Sequence, residues 1–302
     1  MSAVDAALRV AVIVNPISGT GGRTGAGARR KAVAERALAA HGIEGAVFVT
    51  EYAGHARPLV AAALAAGASL VVAWGGDGTV NEVAAELAFG GVTLGIVPSG
   101  SGNGLARELG IPFDPAAAFA VAFTGRTRII DAGELDGRRF FNVAGLGLDA
   151  RVAREFAARG LVRRGLRRYL TIALRELWRF EPDEHTILAD GRLTRTRALL
   201  VALANGRQYG NGACIAPHAR MDDGLLDVVV VESRPALSVL LQAPLLFAGR
   251  IDRLTGVTIT RAADVEITSR RPSIYHVDGE PFVGGVSLAA RALPRALGVR
   301  VP

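Results

Sequence analysis

From the N-terminus to about residue 125, short runs of branched apolar residues alternate with longer Ala-rich stretches. A short branched run suits a strand buried on both faces, and an Ala-rich stretch between two such runs suits a crossover helix. The rhythm therefore predicts a parallel sheet covered by helices. Strands are expected at 9–14, 45–50, 69–74 and 93–97, and helices at 25–40, 55–66, 80–89 and 102–109. The expected strands end in turns rich in Gly, Pro, Ser or Asn. In a parallel sheet such turns gather at the carboxyl edge, where open α/β folds bind ligands.

Beyond about residue 127 the rhythm changes to closely spaced branched runs at 139–144, 198–204, 225–232, 257–259, 265–268 and 273–277. That pattern predicts an antiparallel, β-rich unit with helical insertions. A chain of 302 residues, half of them hydrophobic, is large enough for two cores. The fold class is read as α/β plus β. A Rossmann-like α/β domain is expected over residues 1–126, with a tail at about 292–302 returning to it, and a β-rich domain over 127–291.

The net charge of +7 favours phosphates, an anionic membrane surface or nucleic acid as partners, without choosing among them. Lys31 is the only lysine, so the cations are almost all Arg. Aromatic residues do not interleave with a basic strand face, and a nucleic-acid role is not expected. Cys214 is the only cysteine, which excludes an intramolecular disulfide and a multi-cysteine metal site and suits a reducing compartment. It is read as a small buried apolar residue. Asp5 and Arg9 interrupt the N-terminus too early for a secretory leader. The longest apolar stretch, 237–249, is broken by Gln242 and Pro244 and falls short of the roughly 20 residues of a spanning helix. A cytoplasmic protein, at most peripheral at the inner membrane surface, is expected.

The densest chemical signal is Gly75-Gly76-Asp77-Gly78-Thr79, between an expected strand and an expected helix. Glycines let backbone N–H groups approach an anion, and a helix N-terminus adds free donors and a favourable dipole. Asp77 disfavours a bare phosphate, which points to Mg²⁺ or a water network around one, while the Thr79 hydroxyl can donate to a phosphate oxygen. The plainer alternative is a tight turn before a Thr-capped helix. Asn15-Pro-Ile-Ser-Gly19 and Pro98-Ser-Gly-Ser101-Gly-Asn103-Gly104 repeat the theme on the same edge. None has Walker A spacing or a nearby Lys, so phosphate charge would be met by backbone donors, metal and Arg107. In the second half, Asp278-Gly279 is a hairpin turn signal followed by Glu280. Phosphoryl transfer to an alcohol needs a carboxylate to accept the hydroxyl proton, and Glu280 is the candidate.

These loops, together with Phe141-Asn-Val-Ala-Gly-Leu-Gly-Leu-Asp149-Ala150, Asp223-Gly-Leu225-Leu-Asp227 and Asp278-Gly-Glu280, resemble in order the diacylglycerol kinase catalytic-domain family, which includes sphingosine and ceramide kinases and bacterial lipid kinases. The resemblance implies a fold similar to that of NAD kinases, with an ATP site between the α/β domain and a C-terminal β-sandwich. It implies nucleotide contacts at Gly75, Gly76, Asp77, Gly78, Thr79, Asn81, Thr50 and Ser101, and a lipid hydroxyl deprotonated by Glu280. It also implies Mg²⁺ bound by Asp223 with main-chain oxygens near Arg220 and Leu225. Asp149 is similar to a position facing the lipid headgroup in sphingosine kinases; capping of the following helix is the alternative. Ser101 stands where bacterial diacylglycerol kinases usually carry Thr, which loosens the choice of lipid.

The implied function is an ATP-dependent lipid kinase acting on a diacylglycerol-like or sphingoid acceptor. An NAD kinase-like phosphotransferase and a non-catalytic nucleotide- or lipid-binding regulatory protein are the rivals. On an expected helix at 161–180, Arg164, Arg168, Arg175 and Arg179 share one face. That face is read either as solvated or as a contact for anionic lipid. A homodimer is left open.

Overall fold

The computed structural model describes residues 9–19, 25–158 and 166–302, the side chains of 166–169 excepted. The chain forms two compact units, Met1–Ile129 with Leu297–Pro302, and Ile130–Ala296.

The first unit alternates β1 (Val10–Val14), α1 (Ala26–Ala40), β2 (Gly45–Val49), α2 (Ala56–Ala65), β3 (Leu70–Gly75), α3 (Asp77–Leu87), β4 (Thr93–Pro98), α4 (Gly104–Glu108) and α5 (Pro115–Thr124). β1 and β3 are buried along their whole length, as strands covered by helices on both faces must be. The sheet is parallel in the order β4-β3-β1-β2, and Val299 near the C-terminus adds the last chain segment beside Leu94 of β4. The chain leaves β1 to one side for β2 and returns on the other side for β3. The connections therefore diverge at the carboxyl ends of β1 and β3, and a crevice opens there.

Two elements differ from expectation. α3 starts at Asp77 rather than at residue 80, because Gly76 is extended (φ −94°, ψ −172°) and its carbonyl already accepts from Val80 N at 3.0 Å. The glycine turn is thus the first turn of the helix. α5 had no expected counterpart. Its start is nonetheless built from local signals: Pro115 in the first turn, and Asp114 accepting from Ala117 N at 2.9 Å.

The second unit contains most of β5 (Arg126–Leu135) and of β15 (Ser287–Val301), whose outer ends belong to the first unit, with β6 (Arg138–Phe140), β7 (Val143–Gly147), α6 (Leu148–Ala158), α7 (Leu166–Arg179), β8 (Asp183–Ala189), β9 (Arg192–Ala204), β10 (Leu226–Glu232), α8 (Ala236–Phe247), β11 (Val257–Ala262), β12 (Asp264–Ser269), β13 (Ile274–Val277) and β14 (Glu280–Val283) between them. Its strands follow the order β14-β13-β7-β9-β8-β12-β15, while β10 pairs with both β9 and β11. β9 is the branch point: residues 192–198 lie opposite β8, and residues 200–204 lie between β7 and β10. Phe140, Leu146, Val201, Leu226, Ile267 and Tyr275 share the core this branching encloses.

The expected strand at 139–144 is two strands. Its ladder breaks at Phe141-Asn142 because the amides of Phe141, Asn142 and Val143 donate to the Asp278 carboxylate at 2.9, 3.0 and 3.1 Å. Cys214 is half-buried rather than buried. Residues 161–165, Arg164 among them, lie outside the described residues, as does the Arg168 side chain. Arg175 is not a free surface cation. It pairs with Glu155 at 2.8 Å and with the buried Glu176 at 3.1 Å. Along α7 the exposed residues include Leu170, Leu174 and Trp178. Among the described residues no helix is long and apolar enough to cross a membrane.

Candidate active site

The loops after β1, β3 and β4 are braced against one another by hydrogen bonds that carry their own sequence logic. Asn15 Oδ1 accepts from Ile17 N at 3.0 Å, closing a local turn, and Asn15 Nδ2 donates to Thr79 Oγ1 at 2.8 Å. The β1 loop is thereby pinned to the first turn of α3. Ser18 Oγ and Ser99 Oγ lie 2.7 Å apart and tie the β1 loop to the β4 loop. Asn103, in the left-handed region at φ 51°, accepts from Gly100 N at 2.8 Å and donates to Gly100 O at 2.6 Å. Glycine is required where these loops touch, since a Cβ on Gly100 would sit 2.7 Å from Gly76 Cα.

Asp77 Oδ2 accepts from Asn103 N at 2.8 Å, and its Oδ1 accepts from Gly104 N at 2.7 Å. Both oxygens therefore serve the start of α4. This makes Asp77 a brace between the β3 and β4 loops. Its replacement by Ala should lower the stability of the nucleotide-free protein by about 1–2 kcal/mol, the usual cost of losing a helix cap. Thermal melting without nucleotide or metal checks this, and an unchanged melting temperature would exclude the brace.

Thr50 is buried where β2 ends, its amide donating to Val14 O at 2.9 Å. Ser101 and Asn81 are half-buried. Arg107 holds the β4 loop by donating from Nε to Gly102 O at 2.9 Å, and its guanidinium lies 4.4 Å from the Phe113 ring centroid. Arg30, absent from the sequence-based candidates, grips the β1 loop. It donates to Asn15 O, to Ser18 Oγ at 2.8 Å and to Ser18 O at 2.6 Å, with Trp74 below it at 5.5 Å. Partial burial lowers its pKa from the ordinary arginine value. No spacing or motif marks an Arg in the middle of α1 for this role.

In the second unit Glu280 is the first residue of β14, exposed, directly after the turn Asp278-Gly279. Both turn residues have positive φ (46° and 88°), the backbone that suits a two-residue hairpin. Asp278 clamps that turn through the amides of residues 141–143. Behind it, the buried His276 accepts from Gly279 N at Nδ1 (3.3 Å) and approaches Asp149 Oδ2 through Nε2 (3.2 Å). A nitrogen that accepts an N–H carries no proton of its own. With Nδ1 accepting from Gly279, Nε2 is the ring nitrogen left to donate to Asp149. Tyr209 OH donates to the same carboxylate oxygen at 2.9 Å. Gly145 makes room beneath it, since a Cβ there would lie 2.5 Å from Asp149 Oδ2. Asp149 thus stands in the first turn of α6 inside a His–Asp–Tyr cluster.

Asp223 accepts from Leu225 N at 3.2 Å and faces Arg261 at 3.7 Å, while Arg220 pairs with Asp222 at 3.5 Å. Arg261 also reaches Asp227 at 3.7 Å. Burial raises the Asp227 pKa, and Arg261 opposes that rise. Asp131, not anticipated from sequence, accepts from Gly224 N at 2.7 Å and from Arg295 N at 2.6 Å, holding the turn that carries Asp223. Among the described residues no three His, Cys, Asp or Glu side chains are grouped to hold a metal. A hard cation at Asp223 would therefore depend on main-chain oxygens.

Residues 9–135 match the diacylglycerol kinase catalytic domain, and residues 142–301 match the YegS C-terminal NAD kinase β-sandwich-like domain. A diacylglycerol kinase of Mycobacterium tuberculosis is 34% identical over 301 residues, covering 97% of this chain and 95% of that protein. The fold matches the crystal structure of a diacylglycerol kinase from Bacillus anthracis str. Sterne with a TM-score of 0.71 at 21% identity, covering 98% of this chain and 97% of that one. With both halves matched in order and a third of the residues shared along nearly the whole length, the chain belongs to the diacylglycerol kinase family of lipid kinases.

Proposed function

We propose that the chain transfers the γ-phosphoryl group of ATP to the hydroxyl of a diacylglycerol-like lipid. The observation that carries this reading is the set of three mutually braced loops at the point where the parallel sheet changes direction. Their glycines and the first turn of α3 present backbone donors suited to a polyphosphate. Asn15, Asp77, Asn103 and Arg107 hold the described parts of these loops in place before the nucleotide arrives, which lowers the ordering cost of binding.

In the transfer step the lipid oxygen forms a bond to the γ-phosphorus as the bond to the β–γ bridging oxygen breaks. ADP leaves with that oxygen, and Glu280 takes the hydroxyl proton. Asp223 with main-chain oxygens near Arg220 and Leu225 offers the all-oxygen donor set that Mg²⁺ accepts. When bound, the ion would supply positive charge and rigidity to that turn. Incubation with radiolabelled ATP and a panel of diacylglycerol, monoacylglycerol, sphingosine, ceramide and phosphatidylglycerol tests the reaction. Labelled phosphatidate is expected; labelling of none of these lipids would overturn it. Nothing in the family matches favours the NAD kinase or regulatory readings.

His276 acts on this reaction as a positioning residue. Its Nδ1 supports Gly279, the residue before Glu280, and its Nε2–H supports Asp149. An Asn side chain can replace Nδ1 as acceptor, whereas Gln reaches far enough to replace the Nε2 donor. His276→Asn should therefore keep kcat within about threefold, and His276→Gln should lower it roughly tenfold or more, with KM for ATP unchanged in both. Equal effects of the two substitutions would remove the Gly279 contact from the mechanism.

A further inference from the structure

α8 inverts the ordinary logic of a surface helix. Among its residues Ala236–Phe247 there is no charge, and none of its side chains is fully buried. Leu237, Leu241 and Phe247 are 62%, 74% and 48% exposed, and Pro244 is exposed between them. Their spacing of four, three and three residues places all four along one outward stripe. The polar residues Ser238 and Gln242 are bonded to each other at 3.3 Å. On the inner side Leu246 rests on the small core of Ile215, Ala219, Val229 and Ile251. The helix is thus anchored by part of its surface and presents an apolar stripe outward.

Cations bracket the stripe. Arg234 precedes the helix by two residues, and the exposed Arg250 and Arg253 follow it. Of the two neighbouring acids, Asp252 faces His218 at 3.5 Å, and Glu232 ends β10. A helix of this length, about 18 Å, cannot span a bilayer but can lie in its surface. Apolar side chains then enter the acyl boundary while arginines at each end extend to lipid phosphates.

We propose that α8 docks the chain on an anionic bilayer, with Leu237, Leu241, Pro244 and Phe247 facing the acyl region and Arg234, Arg250 and Arg253 facing the phosphates. Charge disfavours a second copy as the occupant. In a two-fold pairing of α8 with itself, an Arg-bearing end meets another whether the helices run parallel or antiparallel. The purpose of docking, though not the docking itself, rests on the lipid kinase reading, because such a substrate must be taken from the membrane. The α7 face is less suited, since Arg175 is committed to Glu155 and Glu176.

The test uses the full chain and the double variant Leu241→Glu/Phe247→Glu, both sites being exposed and outside the reaction machinery. Sedimentation with phosphatidylglycerol–phosphatidylcholine vesicles should show partition reduced about tenfold or more in the variant. Wild-type binding should weaken on vesicles of phosphatidylcholine alone. Turnover of diacylglycerol in vesicles should fall in parallel, and turnover of dissolved short-chain diacylglycerol should not. Unchanged vesicle partition overturns the docking, all the more if light scattering shows a wild-type dimer that the variant loses. If neither protein phosphorylates dissolved diacylglycerol, the proposed reaction fails, while sedimentation still decides the docking. The triple variant Arg234→Gln/Arg250→Gln/Arg253→Gln should lose the preference for anionic vesicles; retention of that preference overturns the role of the flanking cations.

Discussion

Glu280→Gln should lower turnover by about 10²- to 10⁴-fold while leaving ATP affinity as it is. The substitution keeps side-chain length and hydrogen-bonding capacity and removes only the ability to take a proton. Glu280 opens β14 at an exposed position, where an isosteric amide is accommodated without repacking. The loops proposed to hold the nucleotide follow β1, β3 and β4, elements to which Glu280 contributes no strand or helix residue. Calorimetric titration with a non-hydrolysable ATP analogue should therefore give the wild-type constant, and single-turnover phosphorylation should show the loss in the chemical step. Near-normal turnover in this variant would remove Glu280 as the proton acceptor. A parallel loss of nucleotide affinity would instead point to a binding role.

Asp278→Ala should be the most damaging single change in the second unit, costing about 2–4 kcal/mol and most of the activity. Three amides lose their acceptor at once, and an unpaired N–H away from water costs about 1–3 kcal/mol. Asp278 is only half-buried, so water should recover part of the loss. A further contribution comes from the backbone, since φ is 46° and Asp tolerates this region better than Ala. Asp278→Asn keeps one carbonyl oxygen and the backbone preference, and should fall between wild type and Ala. Urea unfolding of the three proteins would establish the order. An Ala variant within about 0.5 kcal/mol of wild type would show that the clamp contributes little. The activity loss follows from the proton-acceptor role proposed for Glu280, which the clamped turn carries.

The strands and helices of the first unit, and the Gly75–Thr79 turn with its companion loops, are legible in the sequence because their causes are local. Branched runs, Ala-rich stretches and glycine clusters report on backbone preference within a few residues. Even α5 carries a local signal in Asp114-Pro115. The split of 139–144 was not legible, because the carboxylate that breaks the ladder lies 137 residues downstream of Phe141. The same holds for the duties of Asp77, whose partners lie 26 and 27 residues on, and for the union of Asp149 with His276 across 127 residues. Arg30 belongs to this group, since any arginine on α1 looks alike until the β1 loop folds against one of them. For α8, composition announces an apolar stretch, but not that it forms a helix whose apolar stripe points outward. Local sequence thus determined the elements, the glycine loops and the candidate residues. The tertiary structure decided which side chains brace, which face solvent and which share a carboxylate, because hydrogen bonds and burial depend on distances in space that chain order does not encode.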